Sequence, residues 1–570
     1  MKRAFALVFT LLTGLLTVAA QPASAAPSVV RVTGSQGNWR LTVDGAPFQV
    51  RGLTWGPPIS EAAARMPDLK AMGVNTVRTW GTDGMSAPLF DAAAANGVKV
   101  IAGFWLQPGG GPGSGGCVNY VTDANYKSTT LAEFTRWVDV YKGHPGVLMW
   151  NVGNESVLGM QNCYSGTELE NQRNAYTRFV NDVARAIHGI DPNHPVTSTD
   201  AWTGAWPYYK ANAPDLDLYA VNAYDAVCGI RADWEAGEYT KPYILTEGGA
   251  AGEWEVPDDV NGVPTEPSDV AKRDGYRHAW DCLTTHTGVA LGGTLFHYGT
   301  EQDFGGVWFN LVPGNEKRLS YYSVAAAFGG NLGGNTPPVI TRMDLSRATD
   351  VPAGGTFTID VAAADPNGDA ISYDVRLNSK YIDNSGALVP VSFTGNGPFT
   401  VRAPDRLGVW KVYVYARDGH GNVGIEARSF RVVAPTPDGV NVARGKAATA
   451  SPYQQVEDGA PFPPSNTVDG SLSTRWASDW SDPQWVAVDL GTVTTFQHVQ
   501  LVWEAAYGRA YELRVSDDGT DWRAVYATTT GDGGVDGIDV TASGRYVRLY
   551  GTGRGTGWGY SLYEFGVYQR

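Results

Sequence analysis

Short apolar runs alternate with longer amphipathic stretches from residue 48 to about 330. The runs Phe48–Trp55, Asn75–Trp80, Val98–Leu106, Val147–Glu155, Pro195–Asp200, Leu216–Tyr224, Pro242–Gly249 and Gly293–Tyr298 are mostly continuous and aliphatic or β-branched. That is the pattern of strands covered on both faces. Between them, Ser60–Met72, Lys127–Tyr141 and Glu168–Ile190 space their apolar residues as amphipathic helices do. Eight strands in βα alternation over roughly 280 residues predict a (β/α)8 TIM barrel in an α/β chain. A doubly wound open sheet would alternate too, but no G-x-G-x-x-G follows the first strand.

The pattern changes at Asn335-Thr336-Pro337-Pro338. Beyond it, residues alternate at strand period between turn signals such as Asp365-Pro366-Asn367-Gly368-Asp369 and Asp418-Gly419-His420-Gly421-Asn422. Residues 336–434 therefore predict an Ig-like sandwich. No catalytic cluster stands out in it, and it reads as a spacer. A Pro-rich link, Ala434-Pro435-Thr436-Pro437-Asp438-Gly439, precedes a second all-β stretch at 440–570. The expected architecture is multidomain: a barrel over 29–335 followed by two all-β sandwiches.

Lys2 and Arg3, the apolar run Ala4 to Ala20, and Ala23-Ser24-Ala25 predict a secretory signal peptide over residues 1–25. Later segments are too short in apolar residues to span a membrane. Four cysteines, Cys117, Cys163, Cys228 and Cys282, fit two disulfides in an oxidising compartment. Four cysteines allow three pairings. The favoured one joins Cys117 to Cys163, on neighbouring loops after strands three and four, and Cys228 to Cys282. Their spacing does not suit zinc. The net charge of −15 argues against nucleic acid and anionic membranes as partners. The 19 Trp and 28 Tyr serve cores first, but also suit stacking on sugar rings.

Active sites of such barrels lie where the strands end. Strand four ends Trp150-Asn151-Val152-Gly153-Asn154-Glu155, and strand seven ends Thr246-Glu247-Gly248-Gly249. Two carboxylates at opposed strand ends are what glycoside cleavage needs, one to protonate the leaving oxygen and one to attack the anomeric carbon.

On His144-Pro145-Gly146 through Asn154-Glu155, and on Lys241-Pro242 through Thr246-Glu247, the barrel resembles the clan of retaining glycoside hydrolases with glutamates on strands four and seven. Its flavour is that of the family 2 barrel and of β-glucanase and glucanosyltransferase relatives. The resemblance implies Glu155 as general acid/base and Glu247 as nucleophile. It implies Asn154 on the sugar 2-hydroxyl, Arg78 orienting the nucleophile, and Tyr224 near it, with Asn222 in the same strand-six run. The clan's strand-eight tryptophan is missing from Leu295-Phe296-His297-Tyr298. His297 or Tyr298 then forms the floor, or Trp308 folds back. Trp55, Trp80, Trp105 and Trp202 are further candidate sugar platforms, about half of them expected in the cleft.

Residues 440–570 resemble the discoidin, or coagulation-factor type C, jelly roll in its carbohydrate-binding module family 32 branch. The match rests on Thr467-Val468-Asp469-Gly470, Thr474-Arg475-Trp476, Asp482-Pro483-Gln484-Trp485, Trp503-Glu504 and Gly559-Tyr560-Ser561 through Phe565. It implies sugar contacts at Glu457, Arg475, Glu504 and Tyr560, and a structural calcium near Asp469, Thr474 and Glu564. Acidic oxygens suit that ion.

Together these readings predict a secreted, monomeric retaining glycosidase that needs no cofactor for catalysis and acts on a polysaccharide. β-1,3-Glucan leads, because such modules accompany β-1,3-glucanases and chitosanases. Transglycosylation, or hydrolysis of chitosan, β-mannan or β-galactosides, is the alternative. A glycan-binding adhesin is the non-enzyme alternative.

Overall fold

The computed structural model describes residues 27–110, 114–299, 306–395, 397–454 and 461–570. The leader read over residues 1–25 and the module position Glu457 lie outside them.

Eight parallel strands close a barrel: β1 (Val50–Trp55), β2 (Thr76–Arg78), β3 (Lys99–Phe104), β4 (Val147–Asn154), β5 (Val196–Asp200), β6 (Tyr219–Asn222), β7 (Tyr243–Glu247) and β8 (Ala290–Tyr298). Each falls within or beside its predicted run. β8 starts three residues early, because Gly292 and Gly293 interrupt its apolar signature. The long helices Ala124–Tyr141 and Gly166–Ile190 pack between strands and bury Phe134, Val138, Tyr176, Phe179 and Val183. Asp123 starts the first of them by accepting the Tyr126 N–H at 2.8 Å, a side-chain N-cap.

A three-stranded antiparallel sheet (Val30–Thr33, Arg40–Val43, Ala46–Pro47) precedes the barrel. Its Val30 and Leu41 pack on Val50, Leu148, Leu218, Ile244 and Leu291, at the strands' starts. This plugs the N-terminal mouth and leaves the C-terminal mouth for chemistry. Cys117–Cys163 and Cys228–Cys282 are bonded, with Cα–Cα distances of 5.7 and 5.0 Å. Among the described residues no helix is long and apolar enough to cross a membrane.

Two all-β units follow. The first stacks a four-stranded sheet (with Val339–Leu345 and Thr356–Ala364) on a five-stranded one (with Gly408–Arg417 and Val423–Val433). Met343, Phe357, Ile359, Val412, Val414 and Phe430 fill the space between. Its Tyr413, Tyr415, Val423 and Ile425 pack against Val307 of the barrel, so the unit is docked rather than tethered. The second unit is an eight-stranded antiparallel assembly around Trp476, Val488, Leu501, Leu513, Val547 and Phe565.

Candidate active site

At the end of β4 the chain turns sharply. Glu155 has φ 56° and opens the short helix Ser156–Gly159. A left-handed backbone costs a non-glycine residue about 1–2 kcal/mol, so something must hold it. Thr199 O accepts the Glu155 N–H at 3.0 Å. Asp200, the buried last residue of β5, accepts the N–H groups of Val157 at 3.0 Å and Leu158 at 3.3 Å. Tyr209 donates to the same carboxylate at 3.1 Å. Burial pushes the Asp200 carboxyl up to about 6, opposed by these donors.

Glu247 ends β7 and is 6% exposed. Three donors converge on it. Arg78 Nη1 ion-pairs with Oε1 at 2.6 Å, Trp80 Nε1 donates to Oε1 at 3.0 Å, and the Tyr224 hydroxyl donates to Oε2 at 2.9 Å. Arg78 is fully buried, and its Nη2 also donates to Asn154 Oδ1 at 2.6 Å. With that oxygen engaged, Asn154 keeps its amide N–H groups for a ligand.

Glu155 has a different setting. Asn222 Nδ2 donates to its Oε1 at 2.7 Å, and Asn222 Oδ1 accepts from Thr246 at 2.9 Å. Asn222 therefore holds the Glu155 carboxylate, and it also lines the cleft. Burial, and then the Glu247 charge, push the Glu155 carboxyl up to about 8. One carboxylate is braced by a cation and two further donors, and the other is poised to hold a proton at neutral pH. Environments that differ in this way separate the roles of paired carboxylates.

The pair faces a cleft of about 880 Å³. Trp55, Trp80, Trp105 and Trp202 all line it, more than the half expected. His297 lines it as well, beside Phe296. Tyr298 does not: it is 1% exposed, stacks on Trp55 at 6.2 Å and donates to Asp68 at 3.1 Å. Trp308 is also out of the cleft, fully buried with its indole N–H on Ala251 O at 3.0 Å. The lining residues that escaped the sequence reading include Trp254, Glu255 and Asp233. Trp254 and Glu255 sit in the irregular stretch after β7, which carries no periodic signal. Asp200 also escaped, although it ends a strand as Glu155 and Glu247 do.

In the C-terminal unit, Arg475 donates to Ser561 Oγ at 2.9 Å and the Glu504 N–H to Ser561 O at 3.0 Å, which brings these two expected residues together. Tyr560 departs from expectation. It is 1% exposed and its hydroxyl binds Asp482, so its ring is not a platform. Exposed rings stand nearby instead: Trp480 and Trp558, each 57% exposed, with centroids 5.2 Å apart. Asp469 Oδ2 accepts from Thr474 at 2.6 Å. Glu564 Oε1 is buried without a donor, and burial followed by the Asp469 charge raises this carboxyl to about 7. A separate acidic cluster lies in the preceding sandwich, where oxygens of Asp365, Asp369 and Asp418 sit within 4.8 Å of one another.

Residues 68–280 match the family described as glycosyl hydrolases family 2, TIM barrel domain, and residues 447–565 match the F5/8 type C domain. Chitosan-binding module 1, from a chitosanase/glucanase of Paenibacillus sp. IK-5, is 51% identical over 23% of this chain and 98% of that one, with a TM-score of 0.21. A β-glucuronidase of Bacteroides uniformis is 12% identical over 95% of this chain and 67% of that one, with a TM-score of 0.44. A polysaccharide lyase 8 family protein, HylA, of Enterococcus faecalis (strain ATCC 700802 / V583) is 37% identical over 87 residues. This chain covers only 6% of that protein's length. The chain thus carries a barrel of the glycosyl hydrolases family 2 type, followed at its C-terminal end by a unit of the F5/8 type C type.

Proposed function

We propose that this chain is a glycosidase that cleaves a β-linked polysaccharide by double displacement. The observation that carries this reading is the unequal bracing of the two glutamates: three donors on Glu247, and a carboxyl pushed up to about 8 on Glu155. Glu247 attacks the anomeric carbon while Glu155 passes its proton to the glycosidic oxygen, releasing the leaving sugar and forming a glycosyl ester. Glu155, now a carboxylate, takes a proton from water as the water oxygen attacks the same carbon and frees Glu247. Asn154 binds the 2-hydroxyl, and the tryptophans stack on sugar faces.

The charge of the cleft narrows the substrate. Among its described lining residues are four carboxyl groups, of Glu155, Asp233, Glu247 and Glu255, and no lysine or arginine. A uronic acid would bring another carboxylate among them, whereas an amino sugar would bring an ammonium. With the kinship of the C-terminal unit to a chitosan-binding module, chitosan moves ahead of β-1,3-glucan. That unit acts as the polysaccharide-binding module, through Arg475, Glu504 and the Trp480–Trp558 pair. Asp469, Thr474 and Glu564 would hold its calcium ion, whose charge answers the orphaned Glu564 oxygen. Domain composition of this kind is typical of secreted proteins, and two disulfides fit such a compartment.

The test is hydrolysis of chitosan, β-1,3-glucan, β-mannan and a uronic acid polymer, with the anomeric form of fresh product followed by NMR. Chitosan cleavage with retained configuration is expected, and Glu247→Gln should abolish it. An inverted product, or an active Glu247→Gln enzyme, would defeat the mechanism. Cleavage of the uronic acid polymer alone would defeat the substrate.

A further inference from the structure

Residues 248–268 run from the end of β7 to the helix Asp269–Thr285, and their only strand-like pairing is a bridge between Asp258 and Pro264. Its internal bonds are local turns, such as Glu255 N–H to Gly252 O at 3.0 Å and Gly262 N–H to Asp259 O at 3.0 Å, which leave the placement of the segment on the barrel to its outside partners. Yet it supplies Trp254 and Glu255 to the cleft wall.

Its outer side is gripped by the central sandwich. Lys380 Nζ donates to Glu253 Oε2 at 2.7 Å and the Tyr381 hydroxyl to Glu253 Oε1 at 2.9 Å. Further along, Asn261 Nδ2 donates to Ser429 Oγ at 2.8 Å, and the Tyr413 hydroxyl donates to Glu266 at 2.8 Å. The Lys380–Glu253 pair is largely enclosed, with side chains 21% and 15% exposed, so it is screened less than a surface pair.

The inner side leads to the chemistry. Glu255 accepts the N–H groups of Gly252 at 2.8 Å and Asp225 at 3.0 Å. Trp254 meets the Tyr224 ring edge-on at 5.1 Å, and the Tyr224 hydroxyl donates to Glu247. Trp254 is itself 59% exposed, a broad apolar face turned to the solvent of the cleft. The wall is thus braced from behind by another domain and presented in front to substrate.

We propose that the sandwich is a positioning domain: Lys380 and Tyr381, acting through Glu253, hold the Trp254–Glu255 wall as a subsite for sugar units beyond the bond being cut. This rests on the glycosidase reading above. The consequence is a split in kinetics. A polymeric substrate reaches the wall and should feel its displacement, while an aryl glycoside occupying only the reacting site should not.

The experiment uses the full chain as wild type, Lys380→Met, Tyr381→Phe, Lys380→Arg and Arg417→Met. The last is a control: Arg417 pairs with Glu316 across the same domain interface at 2.7 Å, away from the 248–268 segment. Hydrogen exchange of peptides covering 249–260 is measured beside KM and kcat on chitohexaose and on an aryl β-glucosaminide. Lys380→Met and Tyr381→Phe should speed exchange there by about tenfold. They should raise KM for chitohexaose by about fivefold and leave kcat on the aryl glycoside unchanged. Lys380→Arg should restore both, and Arg417→Met should alter neither. Unchanged exchange, unchanged KM for chitohexaose, or the same effect in Arg417→Met would overturn the proposal. If the wild type cleaves neither compound, the substrate reading falls, and the exchange results still decide whether the sandwich holds the wall.

Discussion

Trapping Glu247 as its 2-deoxy-2-fluoroglycosyl ester removes the Glu247 charge from the cleft without altering a residue. In the free enzyme, burial and then the Glu247 charge push the Glu155 carboxyl up to about 8. Glu155 is therefore protonated at neutral pH, and kcat/KM should be lost as pH rises through that value, because the first step needs the acid form. In the ester the repulsion from Glu247 is gone. Two unit charges about 5.5 Å apart, the spacing of a retaining pair, repel by about 3 kcal/mol at an effective dielectric of about 20. That energy corresponds to about 2 pH units. Burial remains and keeps Glu155 above an exposed glutamate, but the residue should now be a carboxylate near neutrality, as the second step needs.

The assay compares two profiles on one protein. The alkaline limb of kcat/KM reports the free enzyme, and the reactivation rate of the trapped ester reports Glu155 as base. Reactivation should rise with pH and level off, its inflection about 2 pH units below the limb of kcat/KM. Glu155→Gln should remove both inflections. Coincident inflections would refute the reasoning, since they would mean that the Glu247 charge does not govern the Glu155 proton.

Three further outcomes are expected. Burial would raise the Glu266 carboxyl, but Lys272 and Lys411 outweigh it and pull it down to about 2. This is below the reference of about 4.3, so its stabilisation is present above that pH and is lost as pH falls toward about 2. Glu266→Gln should strand the two lysines and cost about 3–5 kcal/mol at neutral pH, read as a lower denaturant midpoint whose deficit narrows in acid; an unchanged midpoint would contradict this. A Cβ at Gly110 would press on the Glu155 carboxylate and lie 2.5 Å from its Cβ, so Gly110→Ala should lower kcat by at least about tenfold with little change in Tm; full activity would contradict the tight seat of Glu155. Removing residues 440–570, or making Trp480→Ala with Trp558→Ala, should weaken action on insoluble chitosan and spare soluble oligosaccharides; equal loss on both would place the module at the active site.

The barrel was legible because strands covered on both faces read as unbroken apolar runs, and the paired glutamates because each terminates such a run. Asp200 terminates one too, but its work is to receive the N–H groups of Val157 and Leu158, and a backbone cap across two strands leaves no local trace. Tyr298 and Tyr560 were misplaced for a related reason. A phenol at a strand end can turn to the cleft or to the core, and here Asp68 and Asp482 decide. The sandwich read as a spacer because its contribution is distributed: Lys380 meets Glu253 across 127 residues and Lys411 meets Glu266 across 145. The entropic cost of closing such loops grows only slowly with their length, so distant charges pair almost as readily as near ones. A lysine that will face water and one that will brace a cleft wall then sit in similar local sequence, and only the folded chain separates them.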